Sequence, residues 1–184
     1  MSAALLLTGA VLLLVPGLAH LWSQRSTAAL MLAHGVLPSG WERPVTAVLT
    51  MLEIGLGAAL LLSVAAGETG AQRGLGLVAA ALFATLAGYA HRAWRATAST
   101  RHVPLCACGV AESPLGPWVT GRALLLALLS GVGALSTGGG APVDRPWSEM
   151  VVLGSAAVTL SVLMLLLPAA RTLPGRLPVG RAWS

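Results

Sequence analysis

An all-α, polytopic transmembrane bundle of about five spans is the fold class this sequence predicts, on three observations. The 184 residues are 56% hydrophobic and only 9% charged, where a soluble domain carries about a quarter charged residues. Mean hydropathy is +0.82. A chain this poor in polar groups cannot clothe a soluble surface, but lipid can clothe it. The apolar residues gather into five runs, most of them near the roughly 20 residues that cross a hydrocarbon core. The six tryptophans, Trp22, Trp41, Trp94, Trp118, Trp147 and Trp183, fall near the ends of those runs or in tails. That is the belt pattern of interfacial aromatics.

The first run is Leu5 to Leu21. No Arg or Lys precedes it, so the positive n-region of a signal peptide is missing, and it is read as a spanning helix. Pro16 and Gly17 inside it are tolerated in membrane helices. The second run, Val45 to Ala66, opens after Arg43-Pro44 and closes at Gly67-Glu68. Pro44 suits a first helical turn, where its missing N–H costs nothing. The third extends from Leu75 to Trp94 and takes in Tyr89, His91 and Arg92. The fourth, Trp118 to Ser136, has Arg122 near its start and stops before Gly138-Gly139-Gly140. The fifth is Met150 to Ala170.

Two connections are long. Residues 22–44 join the first two helices, and the loop 95–117 joins the third and fourth and holds both cysteines. The tail 171–184, rich in Pro, Gly and Arg, is expected to lie extended on the membrane surface. With no internal repeat and no soluble segment of domain size, residues 1–184 read as one membrane domain. Small residues are dense in the second and third runs (Gly55, Gly57, Ala58, Ala59; Ala79 to Ala81, Ala84, Ala87, Gly88). They let helix backbones approach closely in lipid.

All 11 basic residues are Arg, and Lys and Asn are absent. A GC-rich bacterial genome explains that usage. The pI near 11.0 therefore does not argue for nucleic acid. The arginines sit at segment ends and form no stripe interleaved with aromatics, which excludes a nucleic-acid partner. Five spans put the two long connections and the C-terminus on one side. That side carries nine of the eleven arginines, and the other carries Arg73 and Arg145. The positive-inside rule then places the cysteine loop and the C-terminus in the cytoplasm of a bacterial inner membrane.

Chemistry concentrates at the same side. Cys106 and Cys108 are the only two cysteines, in a loop flanked by Arg92, Arg95, Arg101 and Arg122. A Cys-x-Cys pair can cycle between dithiol and disulfide, give two thiolates to a metal, or stay inert. A disulfide across one residue closes a tight ring, and strained disulfides are the reducible, reactive ones. Nearby arginines favour the thiolate, which is the nucleophile. The metal alternative would draw on Cys106, Cys108, His91 and His102. His20 and His34 are further histidines at helix ends, each more simply read as a polar anchor. Glu53 is the acid inside an apolar run. A charge at membrane depth costs at least ~2.5–3.5 kcal/mol, so a partner is expected, with Arg92 or Arg122 as candidates. Alternation along the five runs brings His20, Glu53, His91, Arg92, Arg122 and the cysteine loop toward one face. The catalytic candidates are Cys106, Cys108, Glu53, Arg92 and Arg122.

These residues resemble the MauE family of membrane proteins, within the wider group that includes DoxX. The resemblance rests on Gly17-Leu18-Ala19-His20-Leu21, Leu37-Pro38, Leu52-Glu53-Ile54-Gly55 with Ala59-Leu60-Leu61-Leu62, Cys106-Ala107-Cys108-Gly109 and Gly121-Arg122. It departs from the family's frequent Lys at the position of His20, aromatic residue between the second cysteine and the glycine, and Asn at the position of Ala123. The resemblance implies a DoxX-like four-helix core followed by a C-terminal helix. It also implies a role in maturation of an amine dehydrogenase subunit, through disulfide formation or transport, alongside a thioredoxin-like partner. The leading expectation is thus a membrane thiol–disulfide oxidoreductase. A membrane quinone is a candidate electron carrier that no residue specifies. The rivals are a non-enzymatic assembly or transport factor, a metal-binding scaffold, or an accessory subunit of a respiratory complex. Disulfide formation belongs outside the cytoplasm, in tension with the sidedness that the arginines favour.

Overall fold

The computed structural model describes residues 2–97, 105–106, 113–136 and 146–171. These form five helices: α1 (Ser2–His34), α2 (Glu42–Ala66), α3 (Thr69–Thr97), α4 (Pro117–Leu135) and α5 (Trp147–Arg171). All five are long and apolar enough to cross a membrane. The expected all-α bundle of five spans is what folds.

The first helix is longer than its apolar run. The stretch from Trp22, expected as connection, stays helical to His34 with one break at Ser23 (φ −119°, ψ 23°). The continuation is amphipathic. Thr27, Ala28, Met31 and His34 are buried, while Arg25, Ser26, Leu32 and Ala33 are exposed. Those buried positions recur at helical spacing, so one stripe faces the protein. At the break, the Ser23 hydroxyl donates to Ala19 O at 2.8 Å. Such back-bonding commonly bends helices. Gly35, at φ 63°, then ends α1.

The ends of α2 follow local rules. Pro44 sits in its first turn. Gly67 adopts the left-handed conformation (φ 72°), and the N–H groups of Gly67 and Glu68 donate to Val64 O and Ser63 O. This Schellman-type closure suits glycine, which bears no Cβ penalty there. The Gln72 side chain also donates to Ser63 O at 3.1 Å, which fixes the tight turn into α3.

Between α3 and α4, a two-residue strand β1 (Leu105–Cys106) pairs antiparallel with β2 (Ser113–Pro114), with Cys106 opposite Ser113. The chain then passes through Leu115, buried against Ala90 and Ala93 of α3, and enters α4 after an extended Gly116.

The core runs along the bundle axis through Leu6, Leu13, Leu60, Val64, Phe83 and Leu126. Helix α1 is its centre. It packs chiefly on α2, touches α3, α4 and α5, and buries 56% of its spanning stretch against 17% for α5. Buried threonines and serines return their hydroxyls to their own helix, as in Thr8 to Ala4 O and Thr50 to Thr46 O, both at 2.8 Å. Polar side chains are thereby satisfied without a partner helix. Outward positions are apolar, among them Leu62, Leu128, Val152 and Val158, as lipid contact requires. The exposed Trp22, Trp41 and Trp147 mark helix ends and the kink, where amphipathic rings sit at headgroup level.

Candidate functional site

The site begins with two glycines. A Cβ on Gly17 of α1 would stand 2.9 Å from Ile54 Cγ1, 3.0 Å from Glu53 Cβ and 3.2 Å from Ile54 N. A Cβ on Gly57 of α2 would meet Leu14 Cγ at 2.8 Å and Ala10 O at 3.0 Å. Each glycine lies against the other helix, so the two backbones come close as they run antiparallel. Small residues at a helix crossing permit this in lipid, where packing replaces the hydrophobic drive.

That approach buries Glu53, one helical turn from Gly57, and faces it with His20, three residues beyond Gly17. His20 and Glu53 are 3% and 4% exposed. His20 Nδ1 lies 2.9 Å from Glu53 Oε2. Either atom can hold the proton of this bond, depending on tautomer and charge. The burial of a carboxyl at membrane depth is thus offset by an imidazole from the neighbouring helix.

Helix α4 supplies the cation. Arg122 is half-buried and lies five residues past Pro117, about 7.5 Å along the helix axis. Glu53 and Arg122 line one cavity of about 50 Å³, with Pro16 of α1, Phe83 and Leu86 of α3, and Ala123 of α4 among its walls. A carboxyl and a guanidinium thus line the same mostly apolar, partly open space between four helices. Coulomb attraction is stronger there than in water because the surroundings polarise less.

The expected site residues divide clearly. Glu53 and Arg122 come together at the cavity. His20, read from sequence as an anchor or ligand, is the hydrogen-bond partner of Glu53. Arg92 and His91 are exposed on α3, with the His91 ring edge-on to Trp94 at 5.8 Å; neither lines the cavity. Cys106 is described in its backbone alone, in the β1–β2 ladder. Cys108 and His102 lie outside the described residues. Among the described residues no three His, Cys, Asp or Glu side chains converge as a metal site would require.

Two features went unread in the sequence. Tyr89 OH lies 2.9 Å from His34 Nδ1 and ties the end of α1 to α3. Glu42 is 7% exposed, and its Oε2 accepts the Gly40 N–H at 2.9 Å. Glu42 sits next to Arg43 at a run boundary, where charged residues are ordinary. Its only sequence signal is its place in the first turn of α2, ahead of Pro44.

Residues 1–136 match the family model of methylamine utilisation protein MauE, and the chain belongs to that family. The matched region spans α1 to α4 and the cysteine loop; α5 follows it. No curated protein and no solved structure matches the chain.

Proposed function

We propose that this multi-pass MauE-family protein matures a partner protein through thiol–disulfide exchange at Cys106 and Cys108. In the step we assign, a thiolate of the pair attacks a disulfide of a thioredoxin-like protein or of a client such as an amine dehydrogenase subunit. A mixed disulfide forms and one partner sulfur leaves as thiolate. The second cysteine then attacks the mixed disulfide, closing the Cys106–Cys108 bond and releasing the partner as a dithiol. Two thiols and one disulfide enter, and two thiols and one disulfide leave. The reverse sequence donates a disulfide.

The observation that carries this reading is the tether between the cysteine loop and the cavity. The β1–β2 ladder pairs the Cys106 backbone with Ser113. Two residues on, Leu115 is buried against α3, and α4 then delivers Arg122 to the cavity that Glu53 lines. Cys106 and Ser113 are thereby tied to the α3–α4 connection, next to the start of the helix that carries Arg122. A guanidinium near a thiol favours the thiolate. We assign Arg122 to that role, and Arg92, exposed on α3, to contact with headgroups or a partner.

The test is complementation by Cys106→Ser and Cys108→Ser beside a thiol-trapping gel of the wild type. Exchange needs both sulfurs, so each single variant should lose function as fully as the double variant while still inserting. A reversible dithiol–disulfide couple should appear on the gel. Full complementation by both single variants would sink the proposal and favour an assembly or transport factor. We place the cysteine loop with the C-terminus, on the cytoplasmic side by the arginine distribution. An impermeant thiol reagent and a C-terminal tag check both statements, and opposite accessibility of loop and tag would remove one span.

A further inference from the structure

The cavity beside Glu53 is small and partly open, with about 50 Å³ of space for water-sized molecules. One water needs ~10–15 Å³ of the same kind of volume and two to four polar partners. The space therefore suits a short chain of waters, anchored by Glu53 and Arg122. His20 does not line the cavity; it stands behind Glu53, joined to it at 2.9 Å. The order in space is cavity, carboxyl, imidazole.

We infer that His20 and Glu53 form a proton-holding site inside the membrane, loaded and emptied through water in this cavity. One proton enters through a cavity water, which takes a proton from the donor beyond it as it gives one to a Glu53 oxygen, and is held across the Oε2···Nδ1 bond; in the reverse step the same water takes the proton from Glu53 and passes one outward. Among the described residues, the charged and titratable groups at the pair and the cavity come from three helices. His20 comes from α1, Glu53 from α2 and Arg122 from α4, while α3 presents Phe83, Leu86 and Ala90 to the cavity. Arg122 keeps its charge throughout, so the proton moves between the other two groups. The placement deepens the proposed function. A cysteine that becomes a thiolate gives up a proton, and this site takes it as a water-linked carboxylate becomes a carboxylic acid. The inference rests on the thiol reading for that purpose, but the proton site stands on the geometry of α1, α2 and α4.

Infrared difference spectroscopy of the full chain in lipid vesicles tests it. On raising the pH, the wild type should lose either a carboxylic-acid stretch or an imidazolium ring mode, and the band should shift in D2O. Glu53→Gln, which keeps shape and a hydrogen-bonding group, should remove the carboxyl signal. His20→Leu should remove the imidazole signal. Ala123→Leu should fill the cavity and slow deuterium exchange of the band while leaving the band in place. If neither band responds to pH or D2O in the folded wild type, or if the bands survive in Glu53→Gln and His20→Leu, the inference is overturned. Unchanged exchange in Ala123→Leu would overturn the water route. Should the cysteine variants complement fully while the bands behave as stated, the thiol reading alone fails.

Discussion

The two stretches of α1 on either side of Ser23 each hold one buried histidine, and their partners differ in kind. His20, in the apolar stretch, meets the carboxyl of Glu53 from α2 at 2.9 Å, beside a water-sized cavity. His34, at the end of the amphipathic stretch, meets the phenol of Tyr89 from α3, also at 2.9 Å, with the rings 5.9 Å apart. The first pair joins an imidazole to a carboxyl, two groups that serve as acid and base in proton transfer, and the second pins helix to helix. The two histidines are alike in burial and the two bonds in length; the chemistry of the partner separates a candidate site from a structural tie.

The largest effect should come from the crossing that makes the first pair. Gly17→Val places branched carbon against Glu53 Cβ and Ile54 N, which lie 3.0–3.2 Å from even a single Cβ. Overpacking of this kind costs about 1–3 kcal/mol. Circular dichroism during unfolding in detergent should show that loss, together with loss of function. Gly55→Ala is the matched control, because a Cβ there meets nothing within 4 Å. It should be neutral, or stabilising by up to about 1 kcal/mol through helix propensity.

A smaller effect should separate the pairs themselves. In a double-mutant cycle of His20→Leu and Glu53→Leu, the coupling should reach the upper range of membrane hydrogen bonds, about 1–2 kcal/mol. Both single variants should also lose function. Equal stability of all four proteins would mean that the contact contributes nothing. The smallest effect belongs to the second pair. Tyr89→Phe removes one hydroxyl at the edge of the bundle and should cost about 0.6 kcal/mol, the typical value for a hydrogen bond in lipid. Complementation should stay at the wild-type level. A functional defect in Tyr89→Phe as severe as in Glu53→Gln would erase the distinction drawn between the two histidines.

Much of the fold was legible in linear order because lipid imposes a simple rule. Backbone groups in hydrocarbon must be satisfied within the segment, so each long apolar run becomes a helix. Pro44 and Gly67 marked the ends of α2 by local geometry. Legibility failed at residues 22–34, where a polar stretch, Ser23-Gln24-Arg25-Ser26, interrupts the hydropathy but not the helix. The signal was the spacing of Thr27, Ala28, Met31 and His34, which reads as one face only when three-to-four periodicity is weighed above mean polarity. The candidate site was half legible. Glu53 stood out as an acid in an apolar run, and alternation put His20 and Arg122 on its side. The choice of partner was not read: the sequence pointed to Arg92 or Arg122, and the structure supplies His20 instead, because the close α1–α2 crossing sets which side chain reaches Glu53.

Composition and the order of apolar runs determined that this chain is a membrane bundle of five helices, because the cost of exposing polar backbone or charge to lipid acts on each segment separately. The motifs around Glu53 and the cysteine pair determined its kinship with the MauE family. The tertiary structure decided how those segments meet. Gly17 and Gly57 bring two backbones within reach of each other, which buries Glu53 against His20. Arg92 stands exposed on α3, and Glu53 and Arg122 line one small cavity. Such outcomes depend on which side chains fill the gaps between helices, a property of surfaces in contact that no single segment contains.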